Sequence, residues 1–313
     1  MKNTKIVATG SYLPKSVVTN QDLEKFIETT DSWIQERTGI SQRHIVAPGQ
    51  DSCDMAVKAC QDMNIDLADV SLLIVATCTP TKLMPSVACR VQAELGLKNI
   101  PALDINAACS GFIYALATAD SYIKSGLASK VLVVGTDSMS NIVDWEDRST
   151  CVLFGDGAGA VLLEETDSEG VITTKLGASG ELGDLLTTGG NILSAAEPPF
   201  ISMKGKEVFR KAVNNMAQVA ADVLAQSGLA TTDIDWLIPH QANRRIIEST
   251  AKSLNMDLDK TIITLDKHAN TSAASIPLAL DAGIKTDKIK RGDLMLLSAF
   301  GAGLTWGGAL IRY

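Results

Sequence analysis

The chain has 313 residues, of which 46% are hydrophobic and 20% charged, a composition typical of a globular protein with a large core. Its formal net charge of −8 argues against a nucleic-acid-binding protein, and no apolar run approaches the roughly 18 residues of a membrane span. Residues 1–7 lack a signal peptide's apolar stretch, so we expect a cytoplasmic protein. The six scattered cysteines include no C-x-x-C pair, which predicts free thiols and no metal site.

Strand-like apolar runs alternate with helical patterns along the chain. Residues 72–76 and 131–134 are short and rich in β-branched side chains, as buried parallel strands are. Residues 207–226 place apolar side chains on one face of a helix, and Gly228 follows as a stop signal. This alternation predicts an α/β fold whose helices cover its sheets.

The chain also carries an internal repeat. Three pairs of segments resemble each other at nearly the same offset: 69–74 with 233–238, 103–104 with 265–266, and 131–134 with 294–297. An offset this long indicates a duplication of whole domains rather than a solenoid. We therefore predict two similar halves, residues 1–165 and 166–313, the first carrying a candidate nucleophile and the second a histidine and an asparagine.

The candidate nucleophile is Cys109, in the sequence Ala-Ala-Cys-Ser-Gly at 107–111. It follows a predicted strand and precedes a run at helical spacing, so we expect it near a helix N-terminus. The partial positive charge there predicts a lowered thiol pKa. Taken alone, an inert buried cysteine is an equally good interpretation.

Two further residues occupy similar positions. His240 ends the predicted strand 236–238, and strand ends are where α/β proteins display functional groups. Asn270 precedes Thr271 and Ser272, a pattern that by itself favours a helix cap. The glycine-rich stretches fit no dinucleotide fingerprint, and there is no G-x-S-x-G elbow or P-loop.

Together these residues resemble a known family, the 3-oxoacyl-acyl-carrier-protein synthases III of the thiolase superfamily. The resemblance covers essentially the whole chain, through motifs at 10–14, 33–40, 154–160, 239–243 and 270–275. It implies a thiolase-like fold, a five-layered αβαβα sandwich of duplicated halves, and a homodimer.

The resemblance also implies a reaction, the first condensation of type II fatty acid synthesis. Cys109 takes an acyl group, expected to be acetyl, from acyl-CoA. Malonyl-acyl-carrier protein then loses carbon dioxide while His240 and Asn270 hydrogen-bond the enolate oxygen as neutral donors. The carbanion attacks the acyl-cysteine and gives 3-oxoacyl-carrier protein. No cofactor is implied, since CoA thioester and carrier protein are substrates.

By the same analogy, the backbone N–H groups of Cys109 and Ala302 form the oxyanion hole. Many relatives have glycine at the position of Ala302. Alanine keeps the N–H, so the hole is expected to survive unless the backbone there needs a positive φ.

Binding residues are implied as well. Trp33 and Arg148 are expected to sandwich the adenine of CoA. The remaining CoA contacts are Thr29, Arg37, Gly205, Phe209, Ala242, Asn243 and Ile246. The acidic carrier protein is expected to dock on basic residues, with Arg245 the best single candidate, beside Arg244, Lys204, Lys206, Arg210, Lys211 and Lys252.

The acyl pocket is expected to include Phe154 and Met84, the latter reaching the pocket of the partner subunit. Acetyl-selective relatives have phenylalanine at the position of Met84. Methionine is flexible and fills irregular space, so a longer or branched primer is an open alternative.

Four other interpretations compete. A degradative thiolase needs a second catalytic cysteine in the C-terminal glycine turn, and residues 300–308 contain none. Hydroxymethylglutaryl-CoA synthases also use Cys and His but match less closely. A priming enzyme of a specialised, polyketide-like pathway stays open, whereas a non-catalytic scaffold that binds carrier protein would be expected to lack the nucleophile.

Overall fold

The structure is a computed structural model that describes residues 2–189 and 199–313. Its strands there are β1 Asn3–Tyr12, β2 Ser16–Thr19, β3 Gln42–Ile45, β4 Leu72–Ala76, β5 Ala102–Ile105, β6 Lys130–Ser138, β7 Asp156–Thr166, β8 Val171–Ala178, β9 Leu186–Thr188, β10 Ile201–Met203, β11 Trp236–Pro239, β12 Leu294–Gly301 and β13 Thr305–Arg312. Its α-helices there are α1 Asn20–Leu23, α2 Asp31–Thr38, α3 Ser52–Asp62, α4 Val87–Glu94, α5 Gly111–Lys124, α6 Gly205–Ser227, α7 Arg244–Ser253, α8 Leu265–His268 and α9 Ser275–Lys285.

Two sheets form the frame of the molecule. The first has the order β1-β7-β6-β4-β5, antiparallel as far as β6 and parallel from β6 to β5. The second has the order β8-β13-β12-β11, antiparallel as far as β12 and parallel from β12 to β11. The two sheets therefore share one pattern of strand directions, which agrees with the repeat in the sequence. The boundary at residues 165 and 166 stays a prediction.

The layers follow from which helices pack on which sheet. Helices α5 and α9 lie between the sheets, α3 and α4 cover the outer face of the first, and α6 and α7 cover the outer face of the second. The largest apolar cluster fills the central layer, with further clusters under the two outer pairs. This is the αβαβα arrangement, and the predicted fold class is confirmed.

Local predictions also agree with the structure. The predicted strand 72–76 is β4, and the predicted helix 207–226 lies within α6, which ends at Gly228 with φ +72°.

All six cysteines are free. Among the helices of the described residues, none combines the length and apolar character needed to cross a membrane.

Candidate active site

Cys109 sits in the link between β5 and α5. A single 3-10 turn, Ala108–Ser110, follows the strand and runs directly into the helix at Gly111. Ala108 has φ +47°, a conformation that costs free energy in a residue with a side chain. The predicted position near a helix N-terminus is therefore confirmed, and the turn that presents the thiol is strained.

The predicted lowering of the thiol pKa is wrong. Burial raises the pKa of the Cys109 thiol to about 12, and the nearby Asp137 carboxylate acts in the same direction. A hydrogen bond from Ser272 lowers the pKa but does not compensate. A thiolate in this apolar cavity would lose its hydration, which disfavours the charged form. The free protein holds Cys109 as a thiol.

His240 follows the last residue of β11, as the sequence predicts. Its backbone N–H donates to the Ser298 carbonyl at 2.8 Å, which continues the ladder to β12. On the side chain, Nδ1 lies 2.9 Å from the Ser275 hydroxyl, which is itself 2.8 Å from the Ser272 carbonyl. Burial lowers the pKa of His240 to about 3, so the imidazole is neutral.

Asn270 is held through its backbone on both sides. Its N–H donates to the Leu153 carbonyl at 2.9 Å, and its carbonyl accepts from Gly155 at 3.0 Å. Its Oδ1 accepts from the Ser272 N–H at 2.9 Å, a local turn rather than a helix cap, because the N-cap of the following 3-10 turn is Thr271 and that of α9 is Ala274. Within the described residues Nδ2 has no hydrogen-bond partner, which leaves the amide N–H groups for a ligand.

Cys109, His240 and Asn270 line one narrow cavity of about 110 Å³. Its other walls are mostly apolar, and they include Phe154, Phe209 and Phe300. The cavity therefore brings together a thiol, a neutral imidazole and an amide whose nearest sequence separation is 30 residues.

A second, larger cavity of about 570 Å³ shares Cys109 and Phe154 with the first. Its walls include Cys78, Met139 and Ile201. Cys109 thus faces two cavities.

Ala302 lines the second cavity beside Cys109. Alanine is tolerated there because the left-handed conformation, φ +70°, falls on Gly303. Leu304 at φ +43°, Ala269 at +58° and Ser272 at +52° are also left-handed. Strained backbone thus lies beside Cys109, Asn270 and Ala302, as is common at functional sites.

The predicted CoA residues divide into two groups. Gly205, Phe209, Ala242, Asn243 and Ile246 line the narrow cavity. Thr29, Trp33, Arg37 and Arg148 are not part of its walls. The Arg37 carbonyl accepts a hydrogen bond from Asn243 Nδ2 at 2.9 Å, which fixes α2 against the start of α7.

Trp33 and Arg148 stack on one another. The Arg148 guanidinium lies 4.9 Å from the centre of the Trp33 ring, and Arg148 Nη1 donates to the Glu28 carbonyl at 2.8 Å. A base between the two side chains would require them to separate. The structure thus brings the predicted pair together without an open slot for adenine.

The predicted basic residues lie on α6, α7 and the residue before α6. The Arg245 guanidinium stacks on the Phe209 ring at 5.3 Å, which joins the two helices. Arg244 pairs with Glu248 at 2.7 Å and so contributes less net charge. In the described parts of the chain no ion pair involves the other basic residues of this surface: Lys204, Lys206, Arg210, Lys211, Arg245 and Lys252.

Phe154 lines both cavities, whereas Met84 lines neither. The Met84 side chain is 83% exposed, next to Leu83 at 66%. Within its own chain Met84 therefore does not contribute to an acyl pocket.

Sequence reasoning missed several supporting polar groups. Ser275 contacts the histidine, and the buried Asp137 carboxylate accepts from the Cys78, Thr79 and Ala273 N–H groups. Burial raises the pKa of Asp137. Nothing in the sequence pattern marks these residues, since their partners lie far along the chain. No group of three or more His, Cys, Asp or Glu side chains in the described ranges is placed to hold a metal ion.

Comparison with known proteins decides the family. Residues 103–180 match 3-oxoacyl-[acyl-carrier-protein] synthase III, and residues 224–313 match the C-terminal part of the same family. Beta-ketoacyl-[acyl-carrier-protein] synthase III of Coxiella burnetii (strain CbuK_Q154) is 49% identical over 318 residues, covering 100% of both chains. The chain belongs to the 3-oxoacyl-acyl-carrier-protein synthase III family.

Solved structures agree with this assignment. The 3-oxoacyl-[acyl-carrier-protein] synthase III of Aquifex aeolicus VF5 superposes with a TM-score of 0.94 at 49% identity, over 99% of this chain and 100% of that one. The priming beta-ketosynthase of the R1128 polyketide pathway superposes with a TM-score of 0.95 at 33% identity, over 99% and 96%. Members of the synthase III family share the thiolase-like fold seen here.

Proposed function

We propose that this chain is an acyltransferase that initiates type II fatty acid synthesis by condensing an acyl-CoA primer with malonyl-acyl-carrier protein. The observation that carries the proposal is the convergence of Cys109, His240 and Asn270 on one cavity. Full-length identity of 49% to a beta-ketoacyl-[acyl-carrier-protein] synthase III supports the same reaction.

The first stage is acyl transfer to Cys109. The sulfur attacks the thioester carbonyl, the bond between that carbonyl and CoA breaks, and the proton lost by Cys109 ends on the CoA sulfur. Because burial keeps the thiol protonated, deprotonation must accompany the attack. The N–H groups of Cys109 and Ala302 stabilise the oxyanion of the tetrahedral intermediate.

The second stage is decarboxylative condensation. Malonyl-carrier protein loses carbon dioxide, and the electron pair of the broken bond forms an enolate. The neutral imidazole donates to the enolate oxygen, beside Asn270 Nδ2, in the tautomer that carries its proton on Nε2. In the free protein the Ser275 hydroxyl donates to the Ser272 carbonyl, so it must turn its proton to Nδ1 when the imidazole takes up this tautomer. The enolate carbon attacks acyl-Cys109, the carbon–sulfur bond breaks, and the sulfur takes up a proton from solvent.

No cofactor enters this scheme. Loss of carbon dioxide generates the carbanion, and hydrogen-bond donors of the chain stabilise it. CoA thioester and malonyl-carrier protein are substrates, and the free thiols are consistent with a cytoplasmic location.

The carrier protein docks, in this proposal, on the basic surface of α6 and α7. Arg245 is exposed there beside the narrow cavity, and its stacking on Phe209 fixes the guanidinium. Positive charge beside the narrow cavity, on a protein whose net charge is negative, attracts an acidic partner.

The protein acts as a homodimer, in this proposal, with β5 near the two-fold axis. β5 is an edge strand, paired only with β4 in the described chain, so one side of its backbone is free to pair. Leu83 and Met84 lie on the loop between β4 and α4, and both are exposed apolar residues. A second copy of the chain would cover both features.

Intact-protein mass spectrometry tests the proposed function. The protein is incubated with a panel of acyl-CoAs, from acetyl to longer and branched chains, beside Cys109→Ala. We expect an acyl adduct only in the wild-type protein, followed by 3-oxoacyl-carrier protein when malonyl-carrier protein is added. Absence of an adduct with every acyl-CoA, or an equal adduct on Cys109→Ala, would contradict the proposal.

A further inference from the structure

Two loops meet at Cys109, one from each half of the chain. The first, residues 107–110, carries the nucleophile, and the second, residues 301–305, carries Ala302. Two side-chain hydrogen bonds cross between them in opposite directions. Thr305 Oγ1 donates to the Ala107 carbonyl at 2.9 Å, and Ser110 Oγ donates to the Thr305 carbonyl at 3.1 Å.

The two loops are also in close backbone contact. A Cβ placed on Gly301 would lie 2.7 Å from the Cys109 nitrogen and 3.0 Å from the Ser110 nitrogen. Only glycine allows this approach. Ser110 is fully buried, so its hydroxyl has no water to replace the bond to Thr305.

We propose that Ser110 and Thr305 are positioning residues, which together fix the separation of the two N–H groups of the oxyanion hole. Each loop presents one of these groups, from Cys109 and from Ala302. The crossed pair of hydrogen bonds is the only side-chain link between the two loops among the described residues. This inference rests on the proposed function, since it presupposes that an oxyanion forms there.

The two stages of the reaction depend on this pair to different degrees. Tetrahedral oxyanions form when Cys109 is acylated and when the enolate attacks. Decarboxylation instead uses His240 and Asn270, whose contacts run to Ser275, Leu153, Gly155 and Ser272. A defect in the Ser110–Thr305 pair should therefore slow acylation and spare decarboxylation.

Thr305→Val removes the hydroxyl and keeps the shape of the side chain. Two rates are measured: acylation of Cys109 by acyl-CoA in a single turnover, and release of carbon dioxide from malonyl-carrier protein without acyl-CoA. Loss of a whole oxyanion donor costs about 10²–10³-fold, so a displaced donor should slow acylation by about tenfold. Release of carbon dioxide should change by less than about twofold.

Matched variants separate positioning from folding. Thr305→Ser keeps the hydroxyl and should restore acylation. Thr118→Val removes the intrahelical bond from Thr118 Oγ1 to the Tyr114 carbonyl, at a similar burial, and should change neither rate. Ser110→Ala should slow acylation, and the double variant should be hardly slower than the worse single variant, because both hydrogen bonds serve one geometry.

The outcomes are distinguishable. Equal slowing of acylation and decarboxylation in Thr305→Val, or an unchanged acylation rate in a folded variant, would overturn the inference and leave the proposed function intact. Absence of acyl-Cys109 in the wild-type protein would instead overturn the proposed function.

Discussion

Both ionisable side chains that line the narrow cavity are neutral for the same physical reason. The cavity is mostly apolar, so the charged form of Cys109 or His240 would lose its hydration. A neutral imidazole suits the proposed chemistry, because it donates a hydrogen bond without giving up its proton. A neutral thiol is a poorer nucleophile, so the substrate and the oxyanion hole must contribute to its activation.

The lowered pKa of His240 makes stability depend on pH. The unfolded chain binds a proton on this residue below about pH 6.5, whereas the native protein binds it only near a pKa of about 3. Native stability should therefore fall as pH decreases through that window. At about pH 5 the loss is about 2 kcal/mol relative to about pH 7.5. Urea denaturation of the wild-type protein and of His240→Gln across this pH range measures the loss of stability. The contributions of the other titrating groups cancel when the two pH dependences are subtracted. An equal pH dependence in both proteins would contradict the assigned pKa.

At the scale of elements, strand ends and the start of α9 position the site. Cys109 follows β5, His240 follows β11, and Asn270 precedes α9 by one turn. Sequence patterns could predict these positions, because a short apolar run, a small-residue turn and a helical run are all local signals. They could not predict the raised pKa of Cys109, because its desolvation comes from residues such as Phe154 and Phe300, which are distant in sequence.

The contact between β6 and the turn before α9 holds Asn270 and Ser275 over the sheet. A Cβ on Gly135 of β6 would lie 2.3 Å from the Ala273 carbonyl oxygen. Gly135→Ala must therefore push the turn away, and we expect it to lower the free energy of unfolding by about 3 kcal/mol. Gly180→Ala is the control, because a Cβ there meets no atom within 4 Å. Chemical denaturation measures the free energy of unfolding of both variants. Equal changes would show that the turn before α9 moves away from β6 without cost.

At the scale of the whole molecule, the site exists only because two similar halves pack together. The first half supplies Cys109, and the second supplies His240, Asn270 and Ala302. The repeat and the strand patterns made this architecture predictable, and the family resemblance supplied the roles. Crossed hydrogen bonds such as those of Thr305 were not predictable, since they depend on how two loops from different halves approach.

Primer selection depends on the dimer if Met84 enters the acyl pocket of the second subunit. Met84→Phe would then place a bulkier, stiffer side chain in that pocket, and acylation by longer or branched acyl-CoAs should fall at least about tenfold relative to acetyl-CoA. Leu83→Phe is the matched control, because Leu83 is its exposed neighbour on the same loop. Competition between acetyl-CoA and a longer acyl-CoA, read as the ratio of the two adducts on Cys109, measures the preference. Sedimentation checks that Met84→Phe is still a dimer. An unchanged adduct ratio in the dimeric variant would place the side chain of residue 84 outside the acyl pocket. Primer length would then be set by Met139, Ile201 and their neighbours in the second cavity.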